Sequence, residues 1–392
     1  MGIFLLTHAL SAKLTVRGYR HPMSADVQRG FDAAPPRAED LLRAAAGAPA
    51  GAQARIAAAR AGLFVPDTQQ LSDYQRAGMR LLLDRLVATI EDELRRALLA
   101  DPRLPEAAAH ILASERILIA APLLLRAGLL EDGELIAVLL ARSDEQRIFA
   151  AARTQRAAES APLRAIEGLL ADTDIALSQA AMAVLVAESR RFDALDAALL
   201  PRNDLPAELQ YRMVWRIAAA LRHWLVARQE IPAAEADALL ERAVRAPLSG
   251  HDEGETLEST ALQLAAALSA RSRLDDALLT AAAAEGRLML FLALFAVRSG
   301  LDVTSARALV LAPGMRQRVV MLAALGLKRT DAAAILLALN AGQRDDEEIA
   351  DDLTDYDALD RDLAAEAIRP WQLDPGYRDA LTALAAAEGR GA

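Results

Sequence analysis

Leu205, Leu209, Met213, Ile217, Leu221 and Leu225 stand four residues apart along one stretch of the chain. An α-helix, with its 3.6-residue turn, is the structure that brings residues so spaced onto one face. An apolar stripe of that length must be buried, and the rest of the chain supplies more helices to bury it. Alanine accounts for 90 of the 392 residues, while aromatic residues make up only 4%. Alanine and leucine favour helix, and the β-branched and aromatic residues that favour strands are scarce. The expected fold class is all-α.

The same counts exclude several chemistries. The chain has no cysteine, which removes disulfides, thiol nucleophiles, iron–sulfur clusters and Cys-ligated zinc. Arginine outnumbers lysine 42 to 2, leaving Lys13 and Lys328 as the sole candidates for Schiff-base or P-loop chemistry. A hydrophobic fraction of 54% with 25% charged residues belongs to a chain with a packed core. The longest apolar runs, Leu288–Val297 and Ile117–Leu125, fall short of the roughly 20 residues that span a bilayer. Both are expected to be buried helices, and no membrane span is expected. At the start, Ile3-Phe4-Leu5-Leu6 precedes Lys13, Arg17 and Arg20, the reverse order of a secretory signal. Leu6 also occupies the position where a myristoylation motif needs Ser or Thr. Two readings of residues 1–22 stay open: a start at Met23 with a mis-assigned extension, or a loose tail. Either implies a cytoplasmic location.

Four regions follow from composition and punctuation: a tail with a loose helix (1–66), a helical-repeat domain (67–248), a second helical block (256–340) and an acidic C-terminal segment with a last helix (341–392). The loose helix is Glu39–Leu63, interrupted by Gly47 and Pro49 after the Pro35-Pro36 linker. A stronger helix, Ser72–Leu99, carries Leu71, Leu81, Leu82, Leu86 and Ile90 as a core stripe. Beyond Pro102 the pattern suggests helices of about 10–15 residues, an ordinary length in globular proteins. Polar turns at Asp132-Gly133, Asp172-Thr173-Asp174 and Arg202-Asn203-Asp204 separate them. Each of these turns follows a double leucine, at spacings of 40 and 30 residues. That irregular repetition suits stacked helical hairpins, a HEAT-like α-solenoid. Asp204 is the expected N-cap of the long helix that ends near Arg228, with Pro206 close to its first turn. The polar break Ser249–Glu255 is the expected domain boundary.

Three stretches carry a family resemblance. They are Leu123–Arg142 (LLLRAGLLEDGELIAVLLAR), Arg202–Leu225 (RNDLPAELQYRMVWRIAAALRHWL), and Gly286–Leu327 with GRLMLFLALFAVRSGLDVTSARALV and MLAALGL. Together they resemble the bacterial helical-repeat family called domain of unknown function 2336, over roughly residues 70–340. The Asn203-Asp204-Leu205-Pro206 turn and its long helix are the most specific part. The resemblance implies a helical fold and assigns no catalytic residue.

Asp351, Asp352 and Asp355 form a DDxxD. In all-helical prenyl-diphosphate enzymes such carboxylates hold Mg²⁺, because one helical turn brings hard oxygen ligands together. Against it stand the missing second metal motif, the shortage of aromatics to stabilise carbocations, and an acidic setting in which DDxxD arises by chance. Calcium fails as well, since in a loop starting at Asp355 the fifth and sixth positions are Leu359 and Asp360. His8, His21, His110, His223 and His251 are scattered without metal spacing, and His223 suits a packed or surface position better than a base. Arg142, Arg147, Arg153, Arg156 and Arg164 form the densest basic stretch, but Asp144, Glu145 and Glu159 interrupt it and no stacking aromatics accompany it. A solvated helix face is expected there, and nucleic-acid binding is disfavoured.

The net charge of −10 has a single source. Residues 345–366 hold eleven acids and one base (Arg361), which gives 1 − 11 = −10, so the remaining 43 basic and 43 acidic residues cancel. Ile349, Leu353, Tyr356 and Leu363 give this segment a partial apolar stripe. It is either a solvated linker helix or a contact for a basic partner. The expected function is a non-enzymatic helical adaptor without cofactor. Its protein partner would be met by Asp345, Asp346, Glu347, Glu348, Asp351, Asp352, Asp355 and Asp357. The alternatives are a Mg²⁺-dependent prenyl-diphosphate enzyme using Asp351, Asp352 and Asp355, or arginine-mediated nucleic-acid binding.

Overall fold

A computed structural model of the chain describes residues 55–56, 73–114, 118–159, 165–192, 200–250, 253–311, 315–341, 346–378, 380, 381 and 384. The questions raised by residues 1–22, by most of the Glu39–Leu63 helix and by most of the last helix lie outside these residues. The chain divides into two units at Pro36/Arg37, and everything described belongs to the second.

Among the described residues there are 17 α-helices and no strand, so the all-α expectation holds. In chain order they are α1 (Asp73–Leu99), α2 (Glu106–Leu112), α3 (Ala120–Arg126), α4 (Gly133–Glu159), α5 (Glu167–Leu170) and α6 (Ile175–Ser189). Next come α7 (Ala207–Gln229), α8 (Ala233–Ala243), α9 (Arg245–Ser249), α10 (Leu257–Ala270), α11 (Asp276–Ala284) and α12 (Leu288–Ser299). The last are α13 (Val303–Val310), α14 (Met315–Ala324), α15 (Arg329–Asn340), α16 (Asp346–Ala358) and α17 (Arg361–Ile368). Predicted turn residues open several of these helices. Asp132 accepts from the Glu134 and Leu135 amides at α4, and Asp174 from Ala176 and Leu177 at α6. Each cap satisfies backbone donors that would otherwise lack a partner.

The apolar residues gather into two cores. The first joins α1–α3 and the start of α4 to α7 and α8, and it contains the whole fourfold stripe from Leu205 to Leu225. The second joins the later part of α4 and α5–α6 to α10–α17. Residues 165–189, grouped by sequence with the first repeat domain, therefore pack with the chain beyond the 249–255 break. Some contacts also reach over many helices, α1 with α7 and α8 and α11 with α15. A stack in which each hairpin meets only its neighbours accounts for part of this packing.

α12 is buried along almost all of its length, as its unbroken apolar run requires. The other long run differs: Leu118 before α3 and Leu125 within it are more than half exposed, while Ala120 and Leu124 face the core. No described helix is long and apolar enough to cross a membrane; α12 and α13 would suffice together, but they meet at a bend of 112°. At 27 residues, α4 is about twice the expected length. Leu135, Ile136, Leu139 and Leu140 on it enter the first core and Ile148 the second, so one helix serves both.

Candidate functional site

Between its two apolar ends, α4 carries Arg142-Ser143-Asp144-Glu145, and all four side chains are buried. The solvated face expected here is thus corrected for Arg142 and Arg147. Arg142 is buried, Arg147 is half-buried and donates to the Asn340 carbonyl at 3.1 Å, Arg156 is half-buried and Arg153 is exposed, while Arg164 lies outside the described residues. The physical reason is register. The charges continue the helix faces that are apolar in the turns before and after them, so the fold must supply partners.

It does so from distant parts of the chain. Glu145 pairs with Arg142 at 2.7 Å and accepts from Arg191 at 2.8 Å. Arg191, beyond the end of α6, also reaches Asp204 at 2.7 Å. Arg142 donates to the Arg191 carbonyl and lies 4.8 Å over the Phe192 ring, which stacks on Phe149. Asp204 is therefore not the N-cap of the long helix. Pro206 takes that position without a side-chain bond, and Asp204 sits in a 3₁₀ turn (Arg202–Asp204) with its carboxylate on Arg191. Arg202 fixes the same turn from the other side, to Glu93 at 2.6 Å and the Pro247 carbonyl at 2.8 Å.

Burial would push the Glu145 carboxyl up, but the Arg142 and Arg191 guanidinium groups outweigh it and hold it below the usual range. Burial likewise disfavours the charged form of Arg191, and Glu145 and Asp204 more than compensate, so its pKa is raised.

A second cluster adjoins the first. Arg287 bonds Glu285 at 3.0 Å, Glu167 at 3.3 Å and Glu188. Glu285 also accepts the Ala165 amide at 2.9 Å. Gly286, between the two charged residues, makes this approach possible. Its φ is +72°, and a Cβ there would lie 2.8 Å from the Ala152 Cβ and 2.9 Å from the Phe149 Cα on α4. Three carboxylates around one guanidinium leave an excess of negative charge. Burial first, then Glu145 and Glu285, raise the Glu188 carboxyl, with Arg287 and Arg191 opposing.

Beside the first cluster lies a cavity of about 400 Å³. Arg142, Glu145, Arg191 and Asp204 form one wall, and Leu205, Leu262, Leu288, Leu292 and Leu311 line most of the rest. Glu258 and Arg307, paired at 2.8 Å, also line it. The turn that carried the family resemblance is thus part of its wall.

The acidic segment lies elsewhere. α16 turns Ile349 and Tyr356 into the second core, and the Tyr356 hydroxyl donates to the Leu327 carbonyl at 2.5 Å. Leu353 packs partly against that core, whereas Leu363 is exposed. The break between α16 and α17 explains the difference. Asp360 caps α17 by accepting from the Asp362 and Leu363 amides, the register resets, and Ala364 and Ile368 become the buried residues.

Of the expected partner-binding residues, Glu347, Asp351 and Asp357 are exposed, Asp355 is half-buried and Asp352 is buried. Asp357 meets Arg329 at 2.7 Å. Asp345 lies outside the described residues, as do the side chains of Asp346 and Glu348. The DDxxD residues are not gathered around one point, because neighbours on a helix point about 100° apart and Asp352 faces inward. Among the described residues no group of three His, Asp or Glu side chains is placed to hold a metal. His110 and His223 are exposed.

The buried clusters were missed in the sequence. Four polar residues in the middle of a stripe that resumes its apolar register were the available signal.

Helices that share one long beam, sealed at its middle by buried ion pairs, define an all-helical module. Its family is a bacterial one: the profile described as "Uncharacterised protein conserved in bacteria (DUF2336)" matches residues 119–369, and the chain belongs to that family. The match takes in the charged middle of α4, the cavity wall and the acidic helices. No curated protein and no solved structure matches the chain.

Proposed function

We propose that the protein is a non-enzymatic helical adaptor of the cytoplasm, whose acidic α16–α17 face holds a protein partner with a basic surface. The observation that carries this reading is that the excess charge stands on a docked helix rather than a tail, and that part of it is placed against local stability. Glu347, Asp351 and Asp355 are spaced i, i+4, where each like-charged pair costs about 0.2–0.5 kcal/mol. Asp355 and Asp357 occupy the end of α16, where the helix dipole disfavours carboxylates and where no basic residue stands. Burial of Ile349 and Tyr356 outweighs these costs. A rigid helix held in place by one face presents the charges of the other in fixed positions, which suits recognition and long-range steering.

The test is a comparison of wild type with the triple variant Glu347→Gln, Asp351→Asn, Asp357→Asn. Partners captured by the wild-type chain at low salt should be lost by the variant and by the wild type at high salt. An unchanged set of partners would sink the reading.

A further inference from the structure

We infer that the cavity beside α4 is a binding site for a small amphipathic carboxylate, whose head pairs with Arg307 and whose hydrocarbon tail lies along Leu262, Leu288, Leu292 and Leu311. This inference is independent of the acidic face.

The cavity, at about 400 Å³, falls in the size range of small-molecule sites. Its charged wall offers a ligand little, because Arg142, Glu145, Arg191 and Asp204 already satisfy one another at 2.7–2.8 Å. Exchange is cheapest at the Glu258–Arg307 pair. Its side chains keep 41% and 30% of their exposure, so separating them leaves Glu258 hydrated. Arg307 is the less exposed partner and leans over the apolar floor, its Nη2 lying 3.3 Å from the Met289 sulfur. A carboxylate that replaced Glu258 would gain the two-pronged geometry that guanidinium offers. One further feature favours a negative head over a positive one. Glu258 stands in the first turn of α10, a 14-residue helix whose N-terminal dipole attracts anions. From there the apolar residues of α10, α12 and the end of α13 continue inward, which asks for a tail.

The experiment titrates the full chain with straight-chain carboxylates of increasing length, and with alcohols and amines of the same lengths, by calorimetry and thermal shift. Carboxylates should bind with affinity that rises with tail length until the cavity is filled, and they should raise the melting temperature. Alcohols and amines should bind about tenfold or more weakly, since they cannot make the charge-assisted pair with Arg307. Arg307→Gln should cut carboxylate affinity about tenfold and leave alcohols unchanged. Leu262→Trp, which fills the cavity from a partly buried position, should abolish binding of every series. Absence of carboxylate binding overturns the inference, as does binding that ignores both substitutions or amines that bind better than carboxylates. Melting curves of both unliganded variants establish that they are folded.

Discussion

The middle of α4 and the outer face of α16 are both dense in charge, and the fold treats them in opposite ways. In α4, Arg142 and Glu145 are buried and meet Arg191 and Asp204 from elsewhere in the chain. On α16, Glu347 and Asp351 stay in solvent, and exposed Asp357 meets the equally exposed Arg329. The difference teaches that local composition does not decide what a charged stretch does. The helix face decides, and so does the availability of opposite charge in the rest of the chain. Paired and buried, charge fixes which helices meet; exposed and in excess, it stays in solvent.

The largest effect should come from unpairing the buried network. Arg191→Met leaves Glu145 and Asp204 short of a cation, and breaking a buried pair in this way costs about 3–5 kcal/mol. Chemical denaturation should show an unfolding free energy lower by that amount, as an earlier midpoint at unchanged slope. If the loss were under about 1 kcal/mol, the size of an exposed pair, α4 would not differ from α16 at all. Gly286→Ala should come next, at about 2–3 kcal/mol, because the residue must adopt a left-handed φ with its Cβ against the α4 backbone. The same melt measures it, and a neutral outcome would mean that α4 and the α11–α12 turn are not held in contact.

Glu145 and Glu188 sharpen the contrast within the network itself. Glu145 has a folded pKa below its unfolded value. Its contribution is present above the ordinary carboxylate range and is lost as pH falls through the lowered value. Glu188 has a raised folded pKa. The folded state then binds more protons between the unfolded and the raised value, so stability falls as pH rises through that window. Glu145→Gln should therefore be most damaging at neutral pH, and Glu188→Gln should gain on wild type as pH rises above the usual carboxylate range. Melting temperature against pH for the three proteins checks both signs, and parallel curves would remove the distinction.

Much of this organisation is legible in the sequence. The α12 run and the Leu205–Leu225 stripe predict their own burial, because an apolar helix face has few alternatives. Ile349, Leu353 and Tyr356 likewise mark the buried side of α16. What is not legible depends on partners far away in sequence. Nothing near Asp204 says that its carboxylate belongs to Arg191 rather than to the first turn of α7. Nothing local says that Arg142 and Glu145 are paired and not solvated. Leu363 leaves the apolar stripe for a smaller reason, the helix break at Asp360, which shifts the register of the residues of α17. The cavity is formed by six separate segments and leaves no contiguous trace.

A smaller loss separates the anchoring side of α16 from its outer side. Tyr356→Phe removes the hydrogen bond to the Leu327 carbonyl and keeps the ring, so it should cost about 1 kcal/mol. Thermal melting measures this, and a cost of several kcal/mol would give the hydroxyl a larger role than docking α16.

The most direct test pairs stability with partner retention in one protein, the Glu347→Gln, Asp351→Asn, Asp357→Asn variant. Exposed charges contribute little to folding and the variant relieves like-charged pairs along α16, so its melting temperature should equal or slightly exceed that of wild type while the partners held at low salt are lost. A variant that melts as early as Arg191→Met, or that keeps every partner, would contradict the separation of structural charge in α4 from recognition charge on α16.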